Sequence, residues 1–234
     1  MKASASKSLV LAALIAAPLM ASAQLSSNVS LVSNYKFRGQ DQDTSKTTAV
    51  KPALQGGFDY AFSNGFYVGN WNSSVNWVDD NDSIEMDVYG GYKGDFSGVG
   101  YDVGLLKYAY PGSASANTTE AYLGLTYGAF TAKYSTTVSD HYFTSGTKAA
   151  YFNVSYAQEI SKGLTLKAAV GQTNFKDNGT YPDYFDYLVG ASYDLGDGYS
   201  MTGAVVGGNK GASFVTDGVD VNKNRFILTF TKAM

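Results

Sequence analysis

At 234 residues the chain has the length of one β-barrel domain. It has no cysteine and one histidine, which excludes a disulfide framework and histidine-rich metal chemistry. Seventeen basic residues against twenty acidic ones leave no excess of positive charge for a nucleic-acid partner. The first predicted element is a leader. Lys2 and Lys7 precede the apolar run Leu9–Met20, and Ala21-Ser22-Ala23 has the small residues of a cleavage site. Twelve apolar residues are too few to span a bilayer as a helix, so residues 1–23 read as a cleaved export signal. The exported part, 24–234, carries fifteen basic and twenty acidic residues, a net charge of −5.

After the leader no apolar run is long enough for a transmembrane helix, while nineteen Tyr, thirteen Phe and twenty-six Gly accompany only four Pro. That composition predicts strands. In chain order they fall at 27–37, 49–62, 65–77, 84–93, 99–110, 118–127, 129–138, 148–160, 163–173, 184–195, 199–206 and 223–232. Several alternate strictly: Ile84, Met86 and Val88 against Glu85, Asp87 and Tyr89, Phe152, Val154 and Tyr156 against Asn153 and Ser155, and Phe226, Leu228 and Phe230 against Arg225, Ile227 and Thr229. In the third strand Tyr67, Gly69, Trp71, Ser73, Val75 and Trp77 share one face and Asn70, Asn72, Ser74 and Asn76 the other.

The connections alternate as well. Tight turns at Ser63-Asn64, Gly94–Gly98, Gly128, Ser161-Lys162 and Gly196–Gly198 exchange with polar loops at 38–48, 78–83, 111–117, 139–147, 174–183 and 207–222. Long loops at one end and short turns at the other are the asymmetry of outer-membrane barrels, and about ten residues per strand suit a tilted crossing of the hydrocarbon layer. The expected fold class is therefore all-β: a transmembrane antiparallel up-and-down β-barrel of twelve strands.

Alternation alone leaves open whether the apolar face meets lipid or a soluble core. Aromatic residues at strand ends, Tyr35, Phe37, Phe62, Tyr67, Trp77, Tyr92, Tyr127, Tyr193 and Tyr199, favour lipid, because an interfacial ring wants hydrocarbon on its body and water at its polar tip. Closure would also leave no unpaired edge in hydrocarbon.

The segments Ser33–Gln40 ("SNYKFRGQ"), Lys51–Val75 ("KPALQGGFDYAFSNGFYVGNWNSSV") and Ile84–Gly94 ("IEMDVYGGYKG") resemble the opening of the TorF-family porins of proteobacterial outer membranes. The match runs over about sixty residues; later strands share only rhythm and composition. Members of that family usually finish on an aromatic residue read by the barrel-assembly machinery, whereas this chain ends Lys232-Ala233-Met234. The resemblance implies an outer-membrane location and a pore, with no known substrate.

Inward Lys36, Lys51, Asp59, Glu85, Asp87, Glu120, Lys133, Lys167 and Arg225 are the expected pore-lining residues, both signs being represented. Arg38 is expected at the pore mouth, either as a cation facing solute or as an interfacial anchor that snorkels to headgroups or pairs with a nearby Asp. Gly39 permits an unusual backbone angle at the strand exit. An outer-membrane lipid-modifying enzyme would need a serine activated by an oriented histidine, and "VSDHYF" around His141 does not supply one locally. The run Asp79-Asp80-Asn81-Asp82 offers oxygen ligands for Ca²⁺ but lacks EF-hand spacing, and reads as a solvated loop. No cofactor or metal is expected. The expected partners are outer-membrane lipids, small solutes or ions and the barrel-assembly machinery. The rival to a diffusion channel is a structural or adhesive barrel whose loops bind something outside.

Overall fold

The computed structural model describes residues 23–44, 50–78, 83–177, 181–209, 215–216, 219–221 and 223–234. The expected leader, apart from Ala23, and the acidic run 79–82 lie outside these residues.

Twelve antiparallel strands close into one barrel: β1 Gln24–Val32, β2 Ala53–Ala61, β3 Phe66–Ser74, β4 Ile84–Phe96, β5 Val99–Ala109, β6 Thr118–Tyr127, β7 Phe130–Thr137, β8 Ala149–Ser161, β9 Leu164–Phe175, β10 Tyr184–Gly196, β11 Tyr199–Gly208 and β12 Arg225–Ala233. Each strand pairs with its sequence neighbours, and β12 returns to β1 with Asn28 opposite Ala233 and Val32 opposite Thr229. The expected ranges differ by a few residues, except at the first strand, which ends at Val32 rather than residue 37.

The short turns follow from local chemistry. Ser97-Gly98 and Asp197-Gly198 both have positive φ at their two central positions, the backbone of a type I′ hairpin turn whose twist matches that of the strands. Gln24, Ala233 and the short turns share one end of the barrel, and the long connections share the other.

The barrel is apolar outside and polar inside. On β9 and β10, Leu166, Val170, Phe185 and Val189 point outward, Val170 being 59% exposed. Their neighbours Thr173 and Asp186 are buried on the inner face. Phe62, Tyr127, Tyr193 and Tyr199 remain outside at the short-turn end, where an interfacial girdle needs them. Two outward amides interrupt the apolar surface of β3 and satisfy themselves locally. Asn70 Nδ2 donates to the Asp87 carbonyl (2.9 Å), and Asn72 Nδ2 donates to Asn70 Oδ1 (2.6 Å). No helix among the described residues is long and apolar enough to cross a membrane; strands do the crossing here.

Two expectations about faces are corrected. The set Tyr67, Trp71 and Val75 on β3 and just beyond it faces the lumen, with Phe66 and Val68 outside. Tyr35, Phe37 and Trp77, expected in the outer girdle, are packed inside. Rings in the lumen cover buried carboxylates, an interior task that period-two patterning cannot separate from an interfacial one.

Candidate functional site

After Val32 the chain turns inward. Lys36–Phe37 and Gln40–Asp41 form a two-strand hairpin, with Lys36 opposite Asp41 and Phe37 opposite Gln40. Its turn is Arg38-Gly39, with φ of 47° and 78°. Both angles are positive, so this is a type I′ hairpin whose first central residue is arginine instead of the usual asparagine or aspartate.

The hairpin is fastened around the inner wall at the long-loop end. Arg38 grips Glu120 of β6 with both terminal nitrogens (2.9 and 2.6 Å), and Tyr108 of β5 also donates to Glu120 (3.2 Å). The Arg38 guanidinium lies over Tyr151 of β8 at 4.2 Å and over Phe37 at 4.7 Å. Asp41 takes Lys36 at 3.1 Å and Arg225 of β12 at 2.6 Å. Tyr35 donates to Glu85 of β4 (2.8 Å), whose other oxygen accepts from Tyr110. Phe37 meets Tyr108 and Phe143 edge to face, and Trp77 meets Tyr110 and Phe143 likewise. A buried charge survives only when paired and hydrogen-bonded; these ion pairs are all buried, and aromatic rings cover the Arg38 guanidinium.

Below the hairpin the lumen has a different character. Tyr89 donates to Asp59 (2.6 Å), Tyr67 donates to Asp102 (2.5 Å), and the hydroxyls of Tyr67 and Tyr122 are hydrogen-bonded to each other. These rings lie against the wall because each faces a cross-strand glycine. Tyr122 covers Gly104, where a Cβ would come within 2.5 Å of its hydroxyl, and Tyr89 covers Gly69 in the same way. Lys93 stands over the Tyr67 ring at 4.4 Å and Lys133 over the Tyr122 ring at 4.0 Å.

The sequence-predicted residues therefore divide. Lys36 belongs to the hairpin, Glu120 and Arg225 bind it, and Glu85 holds Tyr35 just before it. Lys51 is buried and donates to the Asp43 carbonyl (2.8 Å), so it braces the same loop. Asp87 is buried on the inner face of β4, and its Oδ1 has no hydrogen-bond partner. Asp59, Lys133 and Lys167 lie on the inner wall below. Arg38 is not at the rim: its side chain is inside, 7% exposed, and pairs with a glutamate rather than with headgroups or an Asp. Sequence reasoning missed Asp41, Tyr151 and Lys93. Only Asp41 left a signal, since the spacing of Lys36 and Asp41 about Arg38-Gly39 fits a two-residue turn.

No serine–imidazole pair forms around His141. Its Nε2 contacts the Ser115 carbonyl (3.0 Å), and Ser139 Oγ donates to the His141 carbonyl (3.0 Å). Among the described residues no group of His, Asp and Glu is arranged to hold a metal ion.

A closed barrel with greasy exterior and charged interior is the architecture of outer-membrane barrels. The chain belongs to the family described as a bacterial protein of unknown function (Gcw_chp), whose model matches residues 16–234. Among solved structures it is similar to the KdgM porin in complex with disordered oligogalacturonate (12% identity, TM-score 0.57, covering 88% of this chain and 98% of that one). It is equally similar to the NanC porin in a rhombohedral crystal form (10% identity, TM-score 0.57, covering 90% and 98%). No curated protein matches the sequence. The TorF resemblance is thus supported at the level of a porin-like barrel, and the family shown is Gcw_chp.

Proposed function

We propose that the protein is an outer-membrane channel for passive diffusion of small hydrophilic solutes or ions through a narrow, charge-lined lumen; its TorF resemblance implies the outer-membrane location and the pore. It performs no chemical step and needs no cofactor. Outer-membrane lipids surround it, and the barrel-assembly machinery inserts it. One observation carries this reading: outward positions along the strands are mainly apolar, while Asp59, Asp102, Lys133 and Lys167 line the inner wall of a closed barrel. Water-filled lumens need such lining, and a soluble barrel would reverse it.

The test is single-channel recording of the purified protein in planar bilayers. Discrete conductance steps are expected; a silent trace at every voltage would overturn the proposal. Silence would favour the second reading, a structural or adhesive barrel, which rests on the salt-bridged hairpin crossing the lumen. A second outcome follows from the glycine floor. Gly104→Val removes the space beneath Tyr122, so the ring must swing into the lumen and conductance should fall while the folded barrel keeps its heat-modifiable gel mobility.

A further inference from the structure

Three lysines of the lower lumen lie at similar spacings from the short turns. Lys93 precedes the Ser97-Gly98 turn by four residues, Lys133 follows Gly128 by five, and Lys167 follows Gly163 by four. With a rise of about 3.3 Å per residue, each lies roughly 13–17 Å along its strand from its turn. They come from β4, β7 and β9, so they are spread around one side of the inner wall.

None is neutralised by a salt bridge among the described residues, in contrast to Lys36, Arg38 and Arg225 above. Two carboxylates share this region, Asp59 and Asp102, the latter opposite Lys93 on β5; each accepts a hydrogen bond from a tyrosine hydroxyl, which leaves three ammonium groups against two carboxylates. Lys93 and Lys133 rest on tyrosine rings, which hold the ammonium in place without removing its charge. The residues opposite Lys167 on the two flanking strands are Ala157 and Gly190, which leave its ammonium uncrowded. Beside Lys167, Ser192 of β10 and Thr202 of β11 add neutral hydroxyl groups.

We propose that Lys93, Lys133 and Lys167 form an anion-binding ring that selects small carboxylates and inorganic anions during passage. The proposal rests on the diffusion-channel reading and names its solute class. A ring of cations at a constriction lowers the energy of an anion there and raises that of a cation.

Reversal potentials in a potassium chloride gradient test it. The wild-type protein should pass chloride in preference to potassium. Lys133→Gln with Lys167→Gln should lower that ratio several-fold, and the corresponding double change to Glu should invert it. Potassium preference in the wild type, or a ratio unmoved by the double Glu variant, would overturn the ring while leaving the channel intact. A silent bilayer would overturn the channel. The ring would then be read by NMR of ¹³C-methylated lysines in micelles during titration with succinate. A Lys133 signal that shifts, and no longer does so in Lys93→Gln/Lys167→Gln, supports the ring; an immobile signal sinks it.

Discussion

Asp41→Ala is expected to unseat the inserted hairpin, costing about 3–5 kcal/mol at that site, the usual penalty for removing one partner of a buried ion pair. Asp41 is the carboxylate shared by Lys36 and Arg225, and its side chain is only 2% exposed. Without it, two cations held 3.1 and 2.6 Å from its oxygens lose their common counter-charge in a water-poor enclosure. The cheapest relaxation moves the hairpin toward the water beyond the long loops, because it is tied to the wall by side chains and loop contacts and is not a strand of the barrel. Two measurements follow. Single-channel conductance should rise, and trypsin should cut after Arg38, a bond protected in the wild type by the burial of that side chain. Arg38→Lys should act in the same direction more weakly, since an ammonium reproduces neither the two-point grip on Glu120 nor the stacking on Tyr151. Unchanged conductance and unchanged proteolysis would mean that the hairpin does not limit flow.

Val170→Arg is expected to destabilise the folded barrel by about 2–4 kcal/mol, the cost of a guanidinium on the lipid face near the bilayer midplane. Val170 lies mid-strand on β9, faces outward and is 59% exposed. The adjacent Ala169 faces inward, so Ala169→Arg places the same charge beside water and should cost less while changing ion selectivity. Urea-dependent folding into lipid vesicles measures both. If Ala169→Arg proved the more damaging, the interior would be a dry core and the diffusion channel would be wrong.

Much of this was legible in the residues. Alternation over Ile84–Val88 or Phe226–Phe230 placed each side chain on one of two faces, and the exchange of tight turns with long loops placed each strand end on one of two rims. What alternation does not carry is sign. On β3 both faces are mixed, Tyr67 and Trp71 against Asn70 and Asn72, so parity was readable but the lumen side was not. The outcome was set by neighbours: Tyr67 reaches Asp102 on β5, and the two asparagines find an acceptor in each other and in the Asp87 carbonyl.

The sequence by itself determined the number of strands, their antiparallel order and the end at which the long loops lie, because these depend on local periodicity and turn chemistry. Only the tertiary structure decided that residues 34–43 bend into the lumen. The alternation of β1 continues through Asn34, Tyr35, Lys36 and Phe37 without a break; Lys36 and Asp41 about Arg38-Gly39 fit a two-residue turn, but nothing nearby in the chain says that this turn folds inward. The reason is distance along the chain. Arg38 meets Glu120 across 82 positions and Asp41 meets Arg225 across 184, and such pairs exist only once closure has brought β6 and β12 around the hairpin.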